Sequence, residues 1–412
     1  MKRLTSCVLL LLSVWCSGQS LSLDECYQLA RKNLPNIKKQ DLLRQSTRYS
    51  IENTARSWLP QLSVSGQATY QTDVTRIPIA LPGVPELSKD QYRIQGEVTQ
   101  TIYDGGVAKS QKALLRSQEA TQLQQIEISF QAVKEQVTQL FFSILLLDAQ
   151  WKQQEIYKAG IASSLEKATA AATNGTVAQS SVAELKAALI NAAMGNTEIQ
   201  SDQKAVRETL ALLIGIPVPE HLVQPTPQKT DSEIHRPELR LLDLQKSNIT
   251  IREKALSTGW TPRIAAFVQG GYGRPALNML NNAFDAFALG GIRFSFPLGS
   301  LYTYQNNKKI MALDRSELEA DRETFLRNTK TALTKETNAM EKYSRLLQQD
   351  DEVIALRAQV TRSAQAQLEN GVITTHEYIN QLNAEHLARQ LKNLHQVQLL
   401  HAQVNYQTIS GN

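Results

Sequence analysis

Two periods alternate along this chain. From about residue 107 to 173, apolar side chains recur every seven positions at Leu123, Phe130, Val137, Ile144 and Trp151. A second row follows three residues later at Ile126, Val133, Leu140 and Leu147. This is an a/d heptad seam, which predicts a long helix with coiled-coil packing. At 1.5 Å per residue, some 65 residues make a rod of roughly 100 Å. A second rod is predicted from about 302 to 369. Met311, Leu318, Phe325, Ala332, Ala339, Leu346, Val353 and Val360 repeat at seven, and Leu326, Leu333, Met340, Leu347 and Ile354 widen the stripe. Each rod ends in Asn-Gly, at Asn174-Gly175 and Asn370-Gly371.

Ahead of each rod the period drops to two. Leu62, Val64, Gly66, Ala68 and Tyr70 alternate with Gln61, Ser63, Ser65, Gln67 and Thr69. Tyr92, Ile94, Gly96, Val98 and Ile102 alternate with Arg93, Gln95, Glu97, Thr99 and Thr101. These predict strands at about 61–71 and 91–103, joined by a loop containing Pro78, Pro82, Gly83 and Pro85. Two more are predicted at about 263–273 and 287–297, on Ile264, Ala266, Val268, Gly270 and Tyr272, then Ala288, Gly290, Ile292, Phe294 and Phe296. A helix precedes each strand pair. The first opens on Ser22 and Glu25, a capping box, and is broken or kinked at Pro35. Shorter helices follow the rods at about 180–214 and 374–409.

The plan therefore occurs twice. Pro35, Trp58 and Pro60 match Pro237, Trp260 and Pro262 at an offset of 202, and the two Asn-Gly turns match at 196. An internal duplication accounts for this order. It divides the chain into a first repeat over 19–215, a linker over 216–234 and a second repeat over 235–412.

Composition narrows the setting. The chain has 412 residues, 42% hydrophobic but only 6% aromatic, and a net charge of +5, too small to argue for nucleic acid. Lys2 and Arg3 followed by Val8 to Leu12 read as a secretory leader over 1–18, too short to span a bilayer. Cys16 is an alternative lipidated terminus, disfavoured by the Trp15 before it. Cys7 also lies in the leader, leaving Cys26 as a lone buried thiol. No later stretch reaches the length of a membrane helix, so entry into a membrane requires a barrel.

Strands of about ten residues have the length of bilayer-spanning ones. Four of them cannot close a barrel without raw edges in lipid. Three copies supply twelve. The Gly, Ala and aromatic face is then expected to meet lipid, with Arg93, Gln95, Glu97 and Arg293 facing a wet interior. Trp58 and Trp260 fall at the strand entrances, where a membrane-interface belt places them. The competing expectation is a soluble sandwich capping a coiled coil.

Enzymatic constellations are missing from the sequence: no G-x-S-x-G, no H-E-x-x-H and no phosphate loop. His376, His386, His395 and His401 lie in the last helix without i, i+4 spacing, which favours solvated or lumen-facing positions over metal ligation. Gly270-Gly271-Tyr272-Gly273 reads as space for a bulky neighbour or for sheet curvature.

Several motifs in order resemble the TolC-type outer-membrane efflux channel family across the mature chain. They are Ser22-Leu23-Asp24-Glu25, Trp58-Leu59-Pro60-Gln61-Leu62, Leu212-Leu213-Ile214-Gly215-Ile216-Pro217, and the turns Asn174-Gly175-Thr176-Val177 and Asn370-Gly371-Val372-Ile373. The resemblance implies a mostly α protein with a membrane β-barrel. Tandem coiled-coil hairpins and four strands per chain would trimerise into a 12-stranded outer-membrane barrel and a helical tunnel through the periplasm of a Gram-negative bacterium. It implies a homotrimer in outer-membrane lipid, working with a periplasmic adaptor and an inner-membrane transporter, in tripartite efflux or type I secretion. No cofactor is implied. Adaptor docking falls on Gly175, Thr176, Val177, Gly371, Val372 and Ile373. The family's pore constriction maps to Ser181, Leu368, Glu377 and Asn380. Only Glu377 keeps an acidic charge there, and Ile373 stands where the family has a basic residue. A periplasmic coiled-coil adaptor and an exported hydrolase on a helical scaffold are the rival readings.

Overall fold

The computed structural model describes residues 20–74, 87–226, 233–279 and 281–411. The expected leader, Cys7, Cys16, the loop prolines with Gly83, and part of the linker lie outside the described residues. The first helix breaks as Pro35 dictates. Helix α1 spans Leu23–Asn33 and α2 spans Pro35–Arg56, with Leu34 between them in an extended conformation. A residue before proline is driven out of the α region by the ring's Cδ. The Ser22–Glu25 capping box is present in full.

Strands β1 (Gln61–Tyr70) and β2 (Asp90–Tyr103) lead to α3 (Val107–Thr173) and α4 (Gln179–Ile214). Then come α5 (Pro237–Leu256), β3 (Arg263–Arg274), β4 (Asp285–Ser295), α6 (Leu301–Glu369) and α7 (Thr375–Ser410). Strand β4 stops short of the expected 297, because Pro297 has no N–H for a ladder.

Two compact units form, each drawing on both halves of the chain. One takes residues up to Ile37, Glu127–Pro237 and those from Phe325 on. It is helical. Its main core joins Cys26 and Ala30 of α1, Phe130, Val137, Phe141, Ile144 and Leu145 of α3, Leu210 and Ile214 of α4, and Val397 and Val404 of α7. The expected seam is corrected here. Phe130, Val137 and Ile144 are buried, but Leu140 and Leu147 are only half-buried and Phe141, Phe142 and Leu145 take the second row. A strict a/d seam serves one partner helix; α3 is flanked by three, so its buried stripe widens to i+4. On α6 both apolar rows are mostly half-covered, and Val353 and Val360 remain 46% and 44% exposed.

The other unit takes Lys38–Ile126 and Glu238–Thr324. It holds one antiparallel sheet in the order β1-β2-β3-β4. Strands β1 and β4 are its edges, each bonded along one side only.

Candidate functional site

The two rod ends use one turn. After α3, Gly175 N–H donates to Ala172 O and Thr176 N–H to Ala171 O, at 3.1 and 3.0 Å. After α6, Gly371 N–H donates to Leu368 O and Val372 N–H to Gln367 O, at 3.0 and 2.8 Å. Both are Schellman closures, which need a left-handed residue. Gly175 and Gly371 supply it, with φ of 73° and 71°. A Cβ at either would meet nothing within 4 Å, so glycine is needed here for its backbone angle and not for space.

The helices that leave the turns differ. Thr374 caps α7, and Glu377 reaches back so that its Oε2 accepts from Thr374 N–H at 2.9 Å and from Thr374 Oγ1 at 3.1 Å. The Thr374 backbone N–H, then its hydroxyl, hold the Glu377 carboxyl below its ordinary range. The carboxylate singled out for the constriction is therefore a helix cap. Its counterpart on α4 is Ser181, and the N-cap there is Ala178, with no side-chain hydrogen bond. Asn380 is exposed, whereas Leu368 and Ile373 pack against a second core of Ile161, Leu185, Ala192, Ala364, Tyr378 and Ile379.

Polar ties join the hairpins beside this core. Lys167 Nζ lies 2.8 Å from Glu369 Oε1, His376 Nδ1 lies 3.1 Å from Glu184 Oε1, and the Ser164 and Tyr378 hydroxyls are 3.0 Å apart. Tyr157 donates to Asn383. Thr176, Val177, Leu368 and Gly371 line a cleft of about 200 Å³ with Lys167 and Glu369 at its side.

Three of the α7 histidines are half-buried and make contacts within the chain. His386 stacks on Tyr157 at 4.2 Å, His401 tilts against Phe142 at 4.9 Å, and His395 meets Asp350 at 2.7 Å. Burial lowers the pKa of His386 and His401. Of the four α7 histidines only His376 is exposed. Among the described residues no cluster of three His, Cys, Asp or Glu side chains has the geometry for a metal ion.

The sheet has two unlike faces. Register places Leu62, Val98, Val268 and Gly290 in one row, with Val64, Gly96, Gly270 and Ala288 in the next row on that face. Leu62 is 74% exposed and Ile292 72%. Covering one such side chain is worth about 1.5–3 kcal/mol, so the whole face favours an apolar medium over water. The opposite face carries Ser63, Glu97, Gln269 and Leu289 in one row and Gln67, Arg93, Gly273 and Asp285 in another. The aromatics are not confined to the apolar face: strict alternation carries Phe267 and Phe287 onto the face of Arg93 and Glu97.

Aromatic groups mark both strand ends. Trp58 and Trp260 stand before β1 and β3, and Trp260 packs edge-on against Tyr304 at 4.3 Å. At the other end Phe284 stacks between Tyr92 and Tyr272 at 6.2 and 5.8 Å, under Arg274. The sequence gives little sign of this second cluster, because Phe284 precedes its strand and joins the others only through register. Among the described residues no helix is long and apolar enough to cross a membrane.

The chain thus combines a two-faced antiparallel sheet, with strands of 10 to 14 residues, and long paired helices. Residues 26–216 match the family model described as outer membrane efflux protein. The fold is similar to that of CusC, at 13% identity and a TM-score of 0.70, over 94% of this chain and 91% of that one. VceC of Vibrio cholerae gives 13% identity and a TM-score of 0.66, over 95% and 96%. The open state of MtrE of Neisseria gonorrhoeae gives 14% and 0.64, over 94% and 88%. No curated protein matches the sequence significantly.

Proposed function

We propose that three copies of this chain close a twelve-stranded barrel in the outer membrane and a helical tunnel in the periplasm. The assembly is a passive export duct, as in tripartite efflux or type I secretion, opened and shut at its helical tips. The observation that carries this reading is the sheet. It has one apolar face and two open edges, and only closure with further copies satisfies both in lipid. Exposed apolar side chains on the helices, among them Ile156, Ile190, Met194, Leu356, Leu387 and Leu391, support contacts between copies. Trp58 and Trp260 then stand at one membrane interface, and the Tyr92, Tyr272 and Phe284 cluster at the other.

The tip residues Gly175, Thr176, Val177, Gly371, Val372 and Ile373 receive a periplasmic adaptor, which couples the duct to an inner-membrane transporter. Two nearly identical turns beside one cleft support that docking role. Ser181, Leu368, Glu377 and Asn380 lie at the narrowing, with Glu377 holding the α7 cap. A periplasmic adaptor is the weaker reading, because it leaves the exposed apolar sheet face unexplained.

Native mass spectrometry of the detergent-extracted protein, with single-channel recording in planar bilayers, tests this. Three chains per particle and a conducting pore are expected. A water-soluble single chain without conductance overturns it.

A further inference from the structure

On the polar face of the sheet, two phenylalanines lie flat where such a face has no need of them. Phe287 of β4 lies over Gly271 of β3: a Cβ there would sit 2.7 Å from Phe287 Cζ. Phe267 of β3 lies over Gly291 of β4, where a Cβ would sit 3.2 Å from Phe267 Cε1. Each ring is covered by an arginine. Arg93 Cζ stands 5.4 Å from the centre of Phe287, and Arg293 Cζ stands 4.7 Å from the centre of Phe267. Arg293 also reaches Glu97 at 3.1 Å. Two stacks of the same kind, glycine below, phenylalanine between and guanidinium on top, thus stand side by side.

A guanidinium laid on a ring keeps its second face and its N–H fork for something else. Both arginines are exposed. The charged side chains that alternation puts on this face are Arg93, Arg263 and Arg293 against Glu97 and Asp285, so the face is net positive. The free guanidinium face accepts an aromatic ring, and the Arg93 fork, together with the Arg293 N–H groups not given to Glu97, accepts a carboxylate or sulfonate.

We propose that Arg93 on Phe287 and Arg293 on Phe267 form a binding belt for small aromatic anions. The belt rests on the reading above that this face lines the barrel; three copies would then set six stacks around the bore. It gives the duct a preference among the solutes it passes, in a region well away from the tips in sequence.

The test uses the full-length channel in planar bilayers, with 1-naphthalenesulfonate added to one side at a time. The controls are methanesulfonate, which is anionic without a ring, and benzyltrimethylammonium, which is aromatic and cationic. Naphthalenesulfonate is expected to reduce the current at about tenfold lower concentration than either control, and from one side in preference to the other. The doubly substituted Arg93→Gln/Arg293→Gln channel should lose that advantage. Arg93→Lys/Arg293→Lys keeps the charge but not the planar fork, and should retain preference for anions while losing about fivefold in discrimination for the ring. A conducting wild type that blocks equally with all three probes overturns the belt alone, as does block unchanged in both variants. A wild type that never conducts overturns the channel reading and the belt with it. Heat-modifiable migration of each variant establishes that it has assembled.

Discussion

Lys167 Nζ lies 2.8 Å from Glu369 Oε1, tying α3 to α6 close to their tips. Each partner shifts the other: Lys167 draws the Glu369 carboxyl below its ordinary 4.5, and Glu369 lifts the Lys167 amine above its ordinary 10.5. A depressed carboxylate contributes stability above its unfolded pKa and loses it as pH falls through the folded value. A raised amine contributes below its unfolded pKa and loses it as pH rises through the folded value. The tie is therefore complete between about pH 4.5 and 10.5 and fails on either side. Both side chains are about half exposed, so the effect is read as gating and not as global stability. If the tips gate the duct as proposed, Glu369→Gln is expected to raise open probability at neutral pH and to remove the acid-induced opening expected of the wild type. Single-channel recording across a pH series checks it; unchanged gating would remove the pair from the mechanism.

The first turn of α4 lacks what α7 has. Ala178→Thr with Ser181→Glu should rebuild the capping box that Thr374 and Glu377 form. Stabilisation of about 1 kcal/mol is expected from a restored cap. Slower amide exchange over residues 179–184 is the measurement.

Cys26 is fully buried in the main helical core, and burial raises its thiol pKa to about 12. Only the thiolate attacks alkylating reagents at an appreciable rate. The folded protein should stay unlabelled by a maleimide at pH 8 and label completely once denatured. Partial labelling of the folded chain would show that α1 detaches from α3 and α4.

Arg207 is a hub. It contacts both carboxylate oxygens of Asp148 at 2.9 Å and donates to the carbonyls of Pro219 and Glu220, pinning the start of the linker to α3. Arg207→Ala leaves Asp148 with Gln203 as its remaining donor and strips the Pro219 and Glu220 carbonyls of this donor in a half-buried site, which should cost about 1–3 kcal/mol. Faster proteolysis between residues 216 and 226, with cleavage in the sheet unchanged, is the expected signature.

What the sequence discloses is local or periodic. Ser22 with Glu25 announces its box, Asn-Gly announces each turn, and strict alternation announces each strand, because neighbours within four residues set these features. Burial on α3 is not disclosed, since Phe141 and Leu145 are chosen by three surrounding helices and not by the heptad. Asp148 and Arg207 stand 59 positions apart in two helices, with no spacing rule to link them. Thr374-x-x-Glu377 fits a capping box as well as Ser22-x-x-Glu25 does, yet the family resemblance draws Glu377 toward the pore. Phe267 and Phe287 follow alternation onto the polar side, where Gly291 and Gly271 of the neighbouring strand make room for their rings.

Strands β1 and β4 each have one unbonded side, and this has a genetic consequence. If rings close from three copies, as proposed above, then where both the intact chain and a version damaged in either edge are made in one cell, random mixing leaves about one ring in eight free of damaged members. Such lesions should behave as dominant alleles, silencing most of the sound product, whereas loss of the whole gene should be recessive.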